Sequence, residues 1–267
     1  MNIFHKVALQ GLIKNRTRTL VTIIGVALSA ALITAVSVFA VSLQNYMING
    51  AVKKYGDWHV QFTDVDDSFV QEQAEDSRVS EVVSTENIGF AMLNGGQNPD
   101  KPYLFIAGFN RENFDALPIT LLLGRMPENS SEILIPAHVA SNGGVKISVG
   151  DTLTLAVGSR RAGDETLSQH DPYRQGEESL AFSEERTYTV VGVCQRPSFE
   201  EYAAPGYTLI TMADNTEGAE HLSAFVTLEK PGQIRSYVKS AAQGHAYVLN
   251  DDVLRFMGVS GDKLFNT

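Results

Sequence analysis

Across residues 19–52 the chain carries no charged side chain, and within that stretch residues 20–43 read LVTIIGVALSAALITAVSVFAVSL. A helix of about 20 apolar residues crosses the hydrocarbon core of a bilayer, so this run spans it with some tilt. A buried helix of equal length in a soluble protein shows one polar face, and this one shows none. The apolar core of a cleavable signal covers only about 7–15 residues, whereas this run continues into Tyr46, Met47 and Ile48. Residues 19–50 are therefore read as a transmembrane helix and its extension.

Lys14, Arg16 and Arg18 stand immediately before the span, and the positive-inside bias then keeps the N-terminus in the cytoplasm. Lys53 and Lys54 on the far side weaken that contrast without reversing it. The expected location is the cell membrane, with everything after about residue 50 extracytoplasmic. Upstream, Ile3, Phe4, Val7, Ala8, Gly11 and Leu12 share one helical face opposite Asn2, His5, Lys6, Gln10 and Lys14. That pattern predicts an amphipathic helix over residues 1–18 lying against membrane lipid on the cytoplasmic side. Inside the span, Gly25 with Ser29, and Ala27 with Ala31 and Ala35, repeat small residues every fourth position. Such ridges let a second helix approach closely in lipid, which makes them candidate helix-packing residues.

The charge is divided as the span divides the chain. The whole sequence is net −10, residues 1–52 carry +4, and the remainder carries −14. An acidic domain with so few clustered cations is a poor partner for nucleic acid, which has to be neutralised by Lys and Arg. Cys194 is the only cysteine, so no intrachain disulfide exists. It follows the apolar run Val190, Val191, Gly192 and Val193, a setting for a small buried side chain.

Beyond residue 56 short β-rich runs alternate with Gly, Pro and Asn turns. Strands are expected over 58–63, 82–93, 103–109, 132–135, 152–157, 186–194, 207–211, 224–228 and 246–249. Helices are expected over 67–75, 111–116, 136–141, 233–243 and 251–257. Without strict alternation of the two, this is an α+β extracytoplasmic domain covering residues 51–267. Residues 94–100, NGGQNPD, read as a hairpin turn. Residues 158–185 are charged and nearly devoid of aliphatic side chains, and are expected to be a long mobile loop.

Motifs that carry chemistry are missing from the sequence. No GxxxxGK[ST] loop, HExxH pair or GxSxG elbow occurs, and His59, His138, His170, His221 and His245 lack ligand spacing. The acidic run Asp64, Asp66, Asp67, Glu72, Glu75 and Asp76 lacks the glycine and terminal glutamate of a calcium loop. It reads instead as the cap and first turn of a solvated helix. No catalytic, cofactor-binding or metal-ligating residue is nominated, and the chain is not expected to be an enzyme.

The order of several motifs resembles a known family. Leu12-Ile13-Lys14-Asn15-Arg16-Thr17-Arg18-Thr19-Leu20 leads into Thr22-Ile23-Ile24-Gly25-Val26-Ala27-Leu28-Ser29. Further on stand Leu123-Gly124-Arg125-Met126-Pro127-Glu128-Asn129, then Val149-Gly150-Asp151-Thr152-Leu153, then Tyr188-Thr189-Val190-Val191-Gly192-Val193. Together they resemble FtsX-like, MacB-type ABC transporter permeases, from the first membrane helix through the periplasmic core domain. The resemblance implies a permease subunit that dimerises and pairs with a separate cytoplasmic ABC ATPase subunit. It implies that ATP is held by that partner, with no cofactor in this chain. It also implies further membrane helices after the domain, so the chain is expected to be an N-terminal fragment. A single-pass, membrane-anchored binding or sensor domain is the alternative, and an anchored hydrolase is a third reading with no residue to support it.

Overall fold

The computed structural model describes residues 14–214 and 218–259. It divides into two compact units, Met1–Asn49 and Gly50–Thr267. The interfacial helix expected over residues 1–18 lies largely outside the described residues.

Helix α1 (Arg16–Tyr55) is unbroken over 40 residues, a length of about 60 Å at 1.5 Å per residue. It starts before the expected boundary at residue 19, because Thr17 and Arg18 contain nothing that breaks a helix. Its only polar side chains in the apolar part are hydroxyls, and four of them are absorbed by the helix itself. Thr22, Ser29, Thr34 and Ser37 donate to the carbonyls of Arg18, Gly25, Ala30 and Ile33, each at 2.9 Å. A hydroxyl satisfied in this way can sit in lipid at little cost. The helix stops at Gly56, whose amide still bonds to the Val52 carbonyl at 2.8 Å while its backbone turns to φ +92°. A side chain there would stand 2.6 Å from the Ala116 carbonyl oxygen, so glycine is required by both conformation and space.

In the second unit, the strands among the described residues form one eleven-stranded sheet. Its first part is β1 (Val60–Val65), helix α2 (Asp67–Glu75) and β2 (Val79–Met92), completed far downstream by β10 (Leu222–Leu228), helix α5 (Ile234–Ala241) and β11 (Tyr247–Leu249). The strands lie in the order β11-β1-β10-β2, all neighbours antiparallel. Two βαβ halves in that order make a ferredoxin-like unit. Both helices cover one face of it, where Phe62, Val226, Phe69, Tyr237 and Val238 pack into a core. Asp66 starts α2 by accepting the Phe69 amide at 2.8 Å, the cap expected of the acidic run.

Everything between β2 and β10 is inserted into that unit. The inserted elements are β3 (Tyr103–Phe109), helix α3 (Asn113–Ala116), β4 (Leu121–Gly124), β5 (Glu132–Pro136), helix α4 (His138–Ser141), β6 (Thr152–Ala162), β7 (Glu165–Leu167), β8 (Ser179–Cys194) and β9 (Gly206–Met212). The last helix, α6, spans Asp251–Leu254. From β2 the sheet continues β3-β9-β5-β8-β6, and β6 returns to β2 through the pair Phe90 and Gly158. The sheet thus closes on itself as a small barrel whose interior is filled by alternate residues, among them Leu104, Ile106, Ile133, Val157, Val190 and Leu209. Their neighbours Phe90, Phe105, Leu134 and Ile210 point outward into a separate apolar cluster. The long strand β2 belongs to both the ferredoxin-like unit and the barrel.

The expected loop at 158–185 is a correction. β6 runs on to Ala162, turns into β7, and β8 begins at Ser179. Charge misled the reading, because one opposed pair, Arg160 and Glu178, is neutralised in the interior while Arg161, Glu165, Glu184 and Glu185 stay exposed on strands. Arg160 is fully buried and grips the Glu178 carboxylate with two bonds of 2.9 and 2.7 Å. Its guanidinium also lies over the rings of Phe90 and Tyr103, at 5.4 and 5.5 Å. Burial works against the Glu178 carboxylate, yet the Arg160 bonds hold its pKa below the usual value.

Candidate functional site

Two parts of the molecule offer a surface on which function can be built. The first is α1. Lys14, Arg16 and Arg18 are all exposed at its start, and Gly25, Ala27, Ser29, Ala31 and Ala35 are exposed along it. Nothing stands within 4 Å of a side chain added at Gly25, so within this chain the position is open. Residues 25 and 27 are about 200° apart on a helix, so the Gly25–Ser29 and Ala27–Ala31–Ala35 ridges face nearly opposite directions. They are therefore two possible contact faces and not a single one.

The second is a cavity of about 330 Å³ within the second unit. Its floor is the face of the ferredoxin-like sheet that α2 and α5 leave uncovered. There β1 presents Gln61 and Thr63, β2 presents Thr85, and β10 presents Ser223. These residues alternate with Val60, Phe62, Ala224 and Val226 of the helix-covered face, as strand geometry dictates. The outer ring faces of Phe90, Phe105 and Phe225 supply an apolar side. Residues 166–170, from the segment read as a loop, form the opposite wall. That wall is why a polar strand face that would normally meet water is buried: Gln61, Thr63 and Thr85 are each 4% exposed or less.

The wall is fixed by side-chain bonds. Gln169 donates through Nε2 to the Gly206 carbonyl at 2.6 Å, and Ser168 donates to the Asp171 carboxylate at 2.8 Å. Phe199 and Glu200 complete the enclosure. Glu200 is a fully buried carboxylate with partners on both oxygens. Its Oε1 accepts from Lys101 Nζ at 2.8 Å and meets His138 Nε2 at 2.7 Å, and its Oε2 accepts the Thr208 amide at 2.7 Å. Burial alone would raise its pKa, but the His138 bond and the Lys101 charge outweigh that and hold it at about 2. The mouth of the cavity carries Arg161, exposed, and the Asp64–His221 pair at 2.7 Å.

Other titratable groups are spoken for structurally. His59 accepts the Leu228 amide at 2.9 Å, and its burial lowers its pKa. His170 faces Glu201 at 3.3 Å, and His245 packs on the Phe69 ring at 5.0 Å. Among the described residues no three His, Cys, Asp or Glu side chains gather closely enough to hold a metal ion. The thiol of Cys194 is fully buried, and that burial pushes its pKa up to about 12.

Of the cavity residues the sequence brought forward only Asp64, His170 and His221, and those without a shared role. The alternation Val60-Gln61-Phe62-Thr63 was the available signal, but alternation by itself indicates a half-exposed strand.

The motifs of the family resemblance appear as turn geometry. Gly124 adopts φ +81°, and a side chain on it would stand 2.2 Å from the Val191 carbonyl oxygen. Arg125 then reaches across the turn to Glu132 at 2.7 Å, at the head of β5.

The MacB-like periplasmic core domain family matches residues 19–242. Among solved structures, the extracellular domain of the noncanonic ABC-type transporter YknZ from Gram-positive bacteria is similar at 13% identity, over 72% of this chain and 98% of that one, with a TM-score of 0.37. The periplasmic region of MacB from Actinobacillus actinomycetemcomitans is similar at 11% identity, over 79% of this chain and 97% of that one, with a TM-score of 0.40. No curated protein matches the chain.

Proposed function

Because the chain belongs to the MacB-like periplasmic core domain family, we propose that it acts as the membrane subunit of an ABC transporter and relays motion driven by a separate ATPase to its extracytoplasmic domain. The observation that carries this reading is the start of the family match at residue 19, inside the apolar helix, so that helix and sheet domain belong to one family unit. A continuous helix from Arg16 to Tyr55 is a suitable transmitter, since it contains no proline to break its hydrogen-bond ladder. Lys14, Arg16 and Arg18 favour a cytoplasmic start. The sequence has no phosphate-binding loop, so ATP is assigned to the partner subunit. The two small-residue ridges on α1 offer faces for a second permease copy and for other membrane helices.

Affinity purification of the full chain from its native membrane, in mild detergent, tests this. An ABC ATPase subunit is expected in the eluate, together with a second copy detectable by cross-linking. Recovery of correctly folded, membrane-inserted chain with no ATPase at any detergent strength would refute the proposal and favour an anchored binding domain.

A further inference from the structure

The cavity in the second unit has a composition that points to a ligand, independently of any transport role. Its walls gather carboxamides and hydroxyls, including Gln61, Thr63, Thr85, Asn87, Ser159 and Ser223, against the aromatic side made by Phe90, Phe105 and Phe225. Gln61 lies in the floor with its Oε1 buried and without a hydrogen-bond donor. A buried acceptor left in that state is costly, and the last torsion of glutamine is soft, so the amide turns readily toward a donor that enters. The volume of about 330 Å³ falls at the small end of ligand pockets.

The electrostatics select against a charged guest. The one carboxylate in the inner wall, Glu200, is already engaged by Lys101, His138 and the Thr208 amide. Arg161 stands in solvent at the mouth, beside the mutually paired Asp64 and His221. A charge carried inside would lose its hydration without gaining an opposite charge. A neutral molecule bearing several hydroxyls would meet donors and acceptors on the floor, and its C–H faces would meet the rings.

We propose that this cavity is a binding site for a small uncharged polyhydroxylated ligand, of mono- or disaccharide size, whose hydroxyls bond to Gln61 and Thr85 and whose apolar face rests on Phe90 and Phe225. The site is entered past Arg161 and His221, and the segment 166–170 closes over the occupant.

The test uses the full chain in lipid nanodiscs, free of sugar-based detergent. A panel of glucose, galactose, N-acetylglucosamine, sucrose, trehalose and maltose is titrated by calorimetry and by saturation-transfer NMR, beside glucuronate and glucose 6-phosphate. At least one neutral sugar is expected to bind saturably at one site per chain, with the charged analogues at least tenfold weaker. Gln61→Leu and Thr85→Val should each weaken that sugar at least tenfold while the melting temperature holds or rises. A third variant does not depend on those folding well. Ser159→Cys places a thiol on the cavity wall, and the bound sugar should slow its alkylation at least fivefold. Absence of binding by every neutral sugar leaves a water-filled cavity and overturns the proposal. Equal binding of charged and neutral members, or unprotected alkylation of Ser159→Cys, overturns it as well.

Discussion

Arg160 shows how much one side chain can decide. It sits in a strand that composition alone would consign to solvent, and it is fully buried because Glu178, three carbonyls and two rings surround it. Arg160→Ala would strand the Glu178 carboxylate in the interior, a loss of about 3–5 kcal/mol. Denaturant titration should show that loss, and the double variant Arg160→Met with Glu178→Leu should recover most of it, since a neutral pair leaves no bare charge. Glu200 makes a second prediction, through pH. Its pKa lies near 2 in the folded chain against an ordinary 4.5, so the folded state binds its proton later than the unfolded state does. The stability it contributes is complete above about pH 4.5 and is lost as pH falls toward 2. Glu200→Gln should therefore be less stable than the parent at pH 7, with the gap narrowing across that acid window. Cys194, its thiol pushed up to about 12 by burial, should resist thiol reagents at pH 8 until the chain unfolds. Neither Arg160 nor Glu200 announced its charged partners in the sequence, because Glu178 reaches Arg160 across a turn and Lys101 and His138 reach Glu200 from segments far along the chain.

Elements with local signals were legible. Helix α2 lies at 67–75 as read, because Asp66 caps it and the apolar spacing begins at once. Strand β3 lies at 103–109 as read, because an unrelieved apolar run of that length is a strand buried on both faces. The hairpin at 94–100 joins β2 to β3 as its Asn, Gly and Pro content implied. Strands β4 and β7 escaped notice. Leu121–Gly124 is exposed for most of its length and is held only by β8, while Glu165–Leu167 is a short edge strand of polar character. Two experiments address α1. Gly25→Leu should weaken cross-linking between copies if that ridge is a contact face, and Ala27→Leu tests the opposite face separately. For topology, Ser168 is a poor labelling position because its hydroxyl is bonded to Asp171 in the cavity wall. Asp164, exposed in the β6–β7 turn, is a better one. An impermeant thiol reagent added outside cells stripped of any outer envelope should modify Asp164→Cys and spare Asn2→Cys; the reverse pattern would invert the orientation.

At the level of the whole second unit, the ferredoxin-like unit is legible only in hindsight. Its halves are β1 to β2 and β10 to β11, and more than a hundred residues of barrel intervene. No periodicity in a sequence window records a pairing such as Val226 with Val82, or the closure of the barrel at Phe90 and Gly158. Since β2 serves both parts, they cannot melt independently without breaking a strand in the middle. The single tryptophan, Trp58, packs on Phe225 of β10 and reports on the ferredoxin-like end, and Val157→Cys in a Cys194→Ala background places a thiol in the barrel interior and reports on the barrel. Tryptophan fluorescence and thiol accessibility should therefore give one shared denaturation midpoint. Two separated midpoints would mean that β2 does not couple the parts.

Asn250, just after β11, reaches back through Nδ2 to the carbonyl of Trp58 at 2.9 Å and to that of Gly56 at 3.4 Å, and its own amide bonds to His59. The polypeptide therefore comes into the folded unit and begins its last described helix, α6, at one spot, like both wires of a lamp passing through the same socket. Residues 56–259, which keep the buried Val253 and Leu254 of α6, should consequently transplant as a cassette into a surface loop of an unrelated host, its two cut ends near one another, where a domain with ends at opposite poles would tear its host apart.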